Sequence, residues 1–268
     1  DGKIIYKEKV IELLKEAVRI AAPKKITSRK VVCSLPESKA FIRIITIPKM
    51  KKEEAAEAVK WEMEATIPLP IDQVYFDWQF LEGSSANKQN VLTVAVSKDI
   101  VDDCTEVLSK AGLEVYGLEV ESLASARSLV KEIREDNSSW LIVDLGAQRT
   151  SFIMIVKGVV YFTSSIPFSC ENLNDVIAKS MGVDLKEAEK IKMQQGLGNI
   201  KDDPALFNIM KPLLENLISE IQKTLDFYKD ISHENSQIDG IILCGGGANL
   251  KGLVPYLAII LEEETIIG

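Results

Sequence analysis

Short runs of β-branched residues alternate with amphipathic stretches of helical period along nearly the whole sequence, and this alternation restricts the chain to layered α/β architectures. Residues 7–21 place Val10, Leu13, Leu14, Ala17 and Val18 at helical spacing, and after Pro23 a strand is expected over 30–35. A strand at 41–47, ended by Pro48, leads into a charged helix at 51–65 with Ala55, Val59 and Met63 on one face. Strands at 73–81 and 91–96 flank the turn-rich segment 83–87. A helix at 98–111 closes at Gly112, and residues 113–119 read as a further strand. The order β-α-β-β-α-β predicts a ferredoxin-like, split βαβ module of about eighty residues. Its carboxylates lie along helix surfaces, where solvation is their ordinary role.

A short helix near 122–133 and the polar connector 134–139 mark the expected domain boundary. Strands at 140–143, 151–156 and 159–164 follow, the last two joined by Lys157-Gly158, and predict a β-meander. Helices at 172–181 and 185–194 are broken by Gly182 and Gly196. Pro212 suits the first turn of a long helix whose Leu213, Leu217, Ile221, Leu225 and Tyr228 form an apolar stripe. A buried-type strand at 238–244, the loop Gly245-Gly246-Gly247 and a helix over about 250–261 complete the pattern.

Composition narrows the functions. With 268 residues and 46% hydrophobic content the chain is expected to form two domains. A net charge of -8 argues against nucleic acid and anionic lipid as partners. The single histidine, His233, sits in a polar stretch, which removes Ser-His-Asp, Cys-His and multi-histidine metal chemistry. Four cysteines without a C-x-x-C pair fit a reducing compartment, Cys33 and Cys244 reading as small hydrophobes in β-branched runs. No apolar run reaches the length of about 18 residues that a membrane span needs, and no signal-peptide pattern is visible, so a cytoplasmic protein without direct membrane insertion is expected.

Three segments carry candidate chemistry. Asp144-Leu145-Gly146-Ala147-Gln148-Arg149-Thr150 lies between two strands, where backbone N–H groups can wrap phosphate oxygens and Gly146 permits close approach. Asp144 could hold a hydrated Mg²⁺ and Thr150 offers a hydroxyl; an ordinary hairpin turn is the plainer alternative. Gly245-Gly246-Gly247-Ala248-Asn249-Leu250 follows a strand and precedes a helix. It lacks the third glycine of a dinucleotide fingerprint and instead suggests a flat backbone platform for a purine, with a flexible turn as the alternative. On the third, Glu187 to Lys192, the carboxylate of Glu189 and the ammonium of Lys192 are three apart on a helix and could grip ribose hydroxyls together, or simply solvate it.

The order of these segments resembles the second half of the actin-like ATPase superfamily. In the first half, Leu35-Pro36, Phe41-Ile42-Arg43, Ile47-Pro48-Lys49-Met50 and above all Trp61-Glu62-Met63-Glu64-Ala65-Thr66-Ile67-Pro68-Leu69-Pro70 look like the subdomain inserted in the PilM family of type IV pilus assembly proteins. The likeness runs from about residue 7 to 268. It implies an actin-like, ribonuclease H-like two-lobed ATPase fold with ATP in the cleft and an inserted ferredoxin-like βαββαβ subdomain. By resemblance, 1–37 and 119–137 belong to an incomplete first lobe and 38–118 to the insert. Residues 138–170 and 233–268 belong to the second lobe, and 171–232 to its subdomain. Asp144, Gly146, Gln148 and Thr150 would approach the phosphates and Mg²⁺, Glu189 and Lys192 the ribose, and Gly245, Gly246, Gly247 and Asn249 the adenosine.

The resemblance also implies a cytoplasmic scaffold that docks the N-terminal tail of a PilN-like inner-membrane protein, stays peripheral to that membrane through it, and leaves room for self-association. Family members usually carry a second D-x-G-S-type phosphate loop before the point where this sequence begins, so weak or no ATP binding is expected of these 268 residues taken alone. An FtsA-type cell-division filament protein is the alternative, although the final segment 262–268 is acidic and short where FtsA has an amphipathic membrane-targeting helix. A sugar-kinase reading lacks both an acceptor base and a complete phosphate cradle.

Overall fold

The computed structural model describes residues 2–81, 87–129, 138–198, 204–232 and 237–268. His233, the turn residues 83–86 and the connector residues 134–137 lie outside the described residues. Two compact units, 1–125 and 126–268, divide the chain. The division falls inside the helix α4 (Glu121–Leu129), ahead of the polar connector expected to mark it. Ser122, at the start of α4, is buried and donates to the Glu37 carboxylate, which holds that end of the helix to the first unit.

In the first unit, β1 (Lys30–Leu35) and β5 (Glu114–Val120) form a parallel pair, with a register shift that leaves Tyr116 as an extra residue between Val115 and Gly117. The helices α1 (Lys7–Ile20) and α3 (Lys98–Lys110) supply Ile11, Val107 and Leu108 to a core that also takes Leu113, Val31, Cys33 and Val115. A separate antiparallel sheet has the order β2 (Ala40–Pro48), β4 (Lys88–Ser97), β3 (Val74–Phe80). The helix α2 (Lys52–Thr66) buries Ala55, Val59 and Met63 against Ile45, Ile47, Val74, Val91 and Ala95 of this sheet, as the i, i+4, i+8 spacing predicts.

The expected ferredoxin-like β-α-β-β-α-β order is therefore corrected. Its first five elements are present, but β5 pairs with β1 and not with the three-stranded sheet. The reason lies in side-chain burial: Leu113 and Val115 pack with α1 and α3, whereas the three-stranded sheet closes its own core with α2.

The second unit is built on one five-stranded sheet of order β10-β9-β6-β7-β8. Its strands are β6 (Ser139–Leu145), β7 (Thr150–Val156), β8 (Val159–Ile166), β9 (Gly240–Cys244) and β10 (Thr265–Ile267). The meander β6-β7-β8 is antiparallel, while β9 and β10 run parallel to β6. Lys157 and Gly158 both adopt positive φ in the tight turn between β7 and β8. Four helices, α5 (Cys170–Met181), α6 (Leu185–Gln195), α7 (Ala205–Ile231) and α8 (Leu253–Leu261), complete the core built on the sheet face that carries Leu141, Val143, Phe152, Met154, Ile241 and Leu243.

One expectation fails here for a physical reason. Pro212 lies inside α7 and not in its first turn. A helix-interior proline costs roughly 3 kcal/mol, but Leu206, Phe207 and Met210 upstream are all buried, and each contributes roughly 1.5–3 kcal/mol. Burial therefore outweighs the lost backbone bond. Within the short acidic segment 262–268, residues 265–267 form β10: Thr265 is buried and pairs with Ile241, and the Gly268 N–H donates to the Leu243 carbonyl at 3.0 Å.

Candidate functional site

The candidate site is assembled within residues 126–268. Parallel pairing sets Asp144 beside Cys244, so the turns that leave β6 and β9 emerge at the same edge of the sheet, the carboxyl end where α/β sheets place their ligands. The first turn is closed by the Gly146 N–H donating to the Arg149 carbonyl at 3.0 Å; a Cβ on Gly146 would lie 2.7 Å from that oxygen, so only glycine closes it. Ala147, Gln148 and Arg149 are exposed on its rim, and Asp144 is half-buried at its base. Arg149 Nη2 donates to Ser165 Oγ at 2.8 Å.

The start of α5 is fixed to this turn. Ser169 is the N-cap and accepts from the Asn172 N–H at 3.2 Å. The N–H groups of Cys170 and Glu171 donate to the carbonyls of Gly146 and Ala147, each at 3.1 Å. Thr150 completes the attachment: it is fully buried, and its hydroxyl donates to the Phe168 carbonyl at 3.0 Å. The expected phosphate contact by the Thr150 hydroxyl is thus corrected, because that group ties β7 to the segment before α5 and faces no solvent.

On α6, capped by Asp184, Glu189 is exposed while Lys192 is buried, with 9% exposure. Lys192 Nζ donates to the Cys170 carbonyl at 3.1 Å. An ammonium has three N–H donors, so the Cys170 carbonyl leaves donor capacity for a hydroxyl or an anion. The end of α6 is bound to the segment after the triglycine turn: the Leu197 N–H donates to the Lys251 carbonyl at 2.9 Å, and Lys251 Nζ to the Gln194 carbonyl at 2.8 Å.

The three glycines do different work. Gly245 has φ +74°, and a Cβ there would run into the Asp144 carboxylate and lie 2.8 Å from the Leu145 carbonyl oxygen. A Cβ on Gly247 would lie 2.5 Å from Cys170 Sγ and 2.6 Å from the Leu145 Cβ. Gly246 is exposed and has nothing within 4 Å of its Cβ direction. Gly245 and Gly246 are both exposed, but only the middle glycine has open space in its Cβ direction; its neighbours let the turn press against β6 and α5. Residues 246–249 form a single 3-10 turn, exposed Asn249 reaches back to the Gly246 carbonyl at 3.5 Å, and α8 begins at Leu253, later than expected.

Cys170 is the residue that sequence reasoning missed. Its N–H bonds the hairpin turn, its carbonyl receives Lys192, and its sulfur faces Gly247, so all three candidate segments meet on it. The available signal was Ser169, an N-cap residue three positions before the assigned start of α5 at Asn172. Burial pushes the Cys170 thiol up while Lys192 pulls it the other way, and burial followed by the Asp144 charge pushes Cys244 up to about 12. Both remain thiols near neutral pH and serve packing.

Among the described residues no three His, Cys, Asp or Glu side chains gather as a metal site. One carboxylate completed by water and phosphate is nevertheless a usual Mg²⁺ arrangement, so Asp144 fits that role. Among the described residues no helix is long and apolar enough to cross a membrane.

A family profile described as Type IV pilus assembly protein PilM matches residues 1–267. The solved structure of a PilM-PilN type IV pilus biogenesis complex superposes with a TM-score of 0.84 at 26% identity, covering 100% of this chain and 76% of that one. MreB5 of Spiroplasma citri bound to AMPPNP gives a TM-score of 0.59 at 19% identity, covering 100% of this chain and 72% of that one, a likeness of fold alone. Cell division protein FtsA of Escherichia coli strain K12 is 23% identical over 200 residues, 65% of this chain and 47% of that protein; the chain spans about half the length of the curated relatives it matches. The fold is the mixed α/β fold of the actin-like ATPases.

Proposed function

The chain belongs to the PilM family of type IV pilus assembly proteins, and on that premise we propose that it is an ATP-binding scaffold: residues 126–268 hold an adenine nucleotide, and residues 1–125 receive the N-terminal tail of a PilN-like inner-membrane protein. Its place is at the cytoplasmic face of that membrane, held there through the partner. The observation that carries the nucleotide reading is the meeting of the hairpin turn, α6 and the triglycine turn on Cys170.

Within this proposal Asp144 holds Mg²⁺ through water, Gly146 closes the turn so that the phosphates can approach it, and the backbone of Gln148 faces them. Lys192 and Glu189 bind the ribose hydroxyls, and the adenine lies on the open face of Gly246 with Asn249 beside it. Gly245 and Gly247 shape the turn from behind, and Thr150 acts only as a strut. Bound ATP would supply a charged, removable brace between these turns; whether it is hydrolysed is a separate matter from holding it.

The pairing of β5 with β1 refines the proposed architecture. Residues 1–37 and 119–137, extended back to Glu114, make the first lobe, and the three-stranded module from residue 38 is the insert. Residues 138–170 and 233–268 make the ribonuclease H-like second lobe, with 171–232 as its subdomain. The helix α2 supports a docking role for the insert, because Trp61 is 72% exposed on the side away from Ala55, Val59 and Met63; aromatic side chains of this kind anchor protein interfaces.

Titrating MgATP into the protein and its Lys192→Met and Gly246→Val variants tests the nucleotide site. Loss of a charge-assisted hydrogen bond, about 1.5–3 kcal/mol, should weaken binding by roughly 10- to 100-fold in Lys192→Met, and Gly246→Val should bind no better. Wild-type affinity in both variants would remove the assignment.

A further inference from the structure

Outside the candidate nucleotide site, two thiols from distant parts of the sequence meet in the first unit. Cys33 on β1 and Cys104 on α3 are 71 residues apart, yet their sulfurs lie 3.4 Å from each other. Both are half-buried free thiols at the edge of the core formed by Ile11, Val107 and Leu108. Cys170 and Cys244, the other two cysteines, belong to the second unit.

We propose that Cys33 and Cys104 are a reversible dithiol–disulfide pair that a small disulfide oxidant such as glutathione disulfide closes, tying β1 to α3. A disulfide has an S–S distance of about 2.05 Å, so side-chain rotation must bring the sulfurs closer by roughly 1.3 Å. In a reducing compartment such a pair rests open and closes only when the thiol pool is oxidised, the behaviour of a sensor and not of a structural staple.

The hydrogen bonds assign the two roles. Cys33 Sγ lies 3.5 Å from the Ser34 carbonyl, to which it donates, leaving its lone pairs facing the Cys104 thiol. When Cys33 loses its proton, Cys104 is the donor already in place to stabilise the thiolate. Burial, then the bond to Cys33, pushes the Cys104 thiol up, in keeping with its place as the donor to Cys33. Cys33 is therefore the attacking sulfur and Cys104 the resolving one.

In the first step the Cys33 thiolate attacks one sulfur of glutathione disulfide, forming a mixed disulfide and expelling one glutathione thiolate. Cys104 then attacks the Cys33 sulfur, giving up its proton as the second glutathione leaves. The sum is two protein thiols oxidised to one disulfide and one glutathione disulfide reduced to two glutathione molecules. This inference stands independently of the nucleotide reading.

The test incubates the native 268-residue protein with graded ratios of oxidised to reduced glutathione, blocks remaining thiols with N-ethylmaleimide, and maps the products by mass spectrometry. Two blocked thiols at Cys170 and Cys244 with a linked Cys33–Cys104 peptide, reversed by reduced glutathione, are expected. Four blocked thiols at every ratio, or a link that forms only in denaturant, would overturn the pair. The order of attack is read from single variants. Cys104→Ser should accumulate a glutathione adduct on Cys33 at least ten-fold over the adduct that Cys33→Ser leaves on Cys104, and equal or reversed adducts would overturn the assigned roles.

Discussion

The two units solve the problem of burying apolar surface differently. Residues 126–268 pack one face of the five-stranded sheet and four helices into one large core, and the turns that leave β6 and β9 at its carboxyl end are held by close-packed backbone and glycine. Residues 1–125 divide their apolar side chains between two small cores and leave aromatic rings outside: Tyr6, Trp61, Tyr75 and Tyr116 are all at least 48% exposed. Among the described residues the second unit exposes only Phe227 in this way. Backbone amides with close glycine packing suit a small, charged ligand, whereas exposed rings suit a macromolecular one.

The sharpest way to break this comparison is to change a close-packed glycine. Gly245→Val adds a branched side chain at φ +74°, against the Asp144 carboxylate and the Leu145 carbonyl. We expect a loss of about 3 kcal/mol in stability, measured by denaturant unfolding; a change below about 1 kcal/mol would mean that the turn yields and the close packing is incidental. Trp61→Ala should do the opposite. With the ring 72% exposed, stability should move by no more than about 0.5 kcal/mol, while affinity for a PilN-like N-terminal peptide should fall by about 2 kcal/mol if the ring is an anchor. Unchanged affinity would move the docking surface off α2.

The smallest effect tests the charges that join α1 to α3. Lys7 Nζ contacts Asp103 at 2.5 Å and Glu106 at 2.6 Å, and Lys110 holds the other Glu106 oxygen at 2.7 Å. Lys110 first and Lys7 second hold the Glu106 carboxyl down at about 2. A carboxyl depressed in the folded state stabilises above its unfolded value and loses that contribution as pH falls through the folded one. Thermal unfolding of wild type and Glu106→Gln should therefore differ slightly at pH 6 and converge between about pH 4.5 and pH 2. A gap that persists at pH 2 would assign the difference to packing.

How far the sequence could be read depended on where the deciding interaction lay. The strand 30–35 and the buried face Ala55, Val59, Met63 were legible because the signal is periodic and local. Pro212 misled because a local penalty was outweighed by burial of Leu206, Phe207 and Met210 against residues remote in sequence. β5 was legible as a strand, but its partner was not, since local pattern carries no information on which sheet it joins. For the candidate site, the residues of the three segments could be picked out, but not their division of labour. That Thr150 is a strut depends on the Phe168 carbonyl, and that only Gly246 has a free Cβ direction depends on Asp144, Cys170 and Leu145 lying behind its neighbours.

The last strand has a mechanical consequence. β10 is bonded in parallel to β9, and β9 in turn ends in the triglycine turn. Tension applied to anything attached after Gly268 would load the β10–β9 ladder lengthwise, in shear, with its hydrogen bonds resisting together. A pull from a tether or a fused partner would thus be felt one strand away from Gly245, turning the rim of the sheet into a lever on the loop.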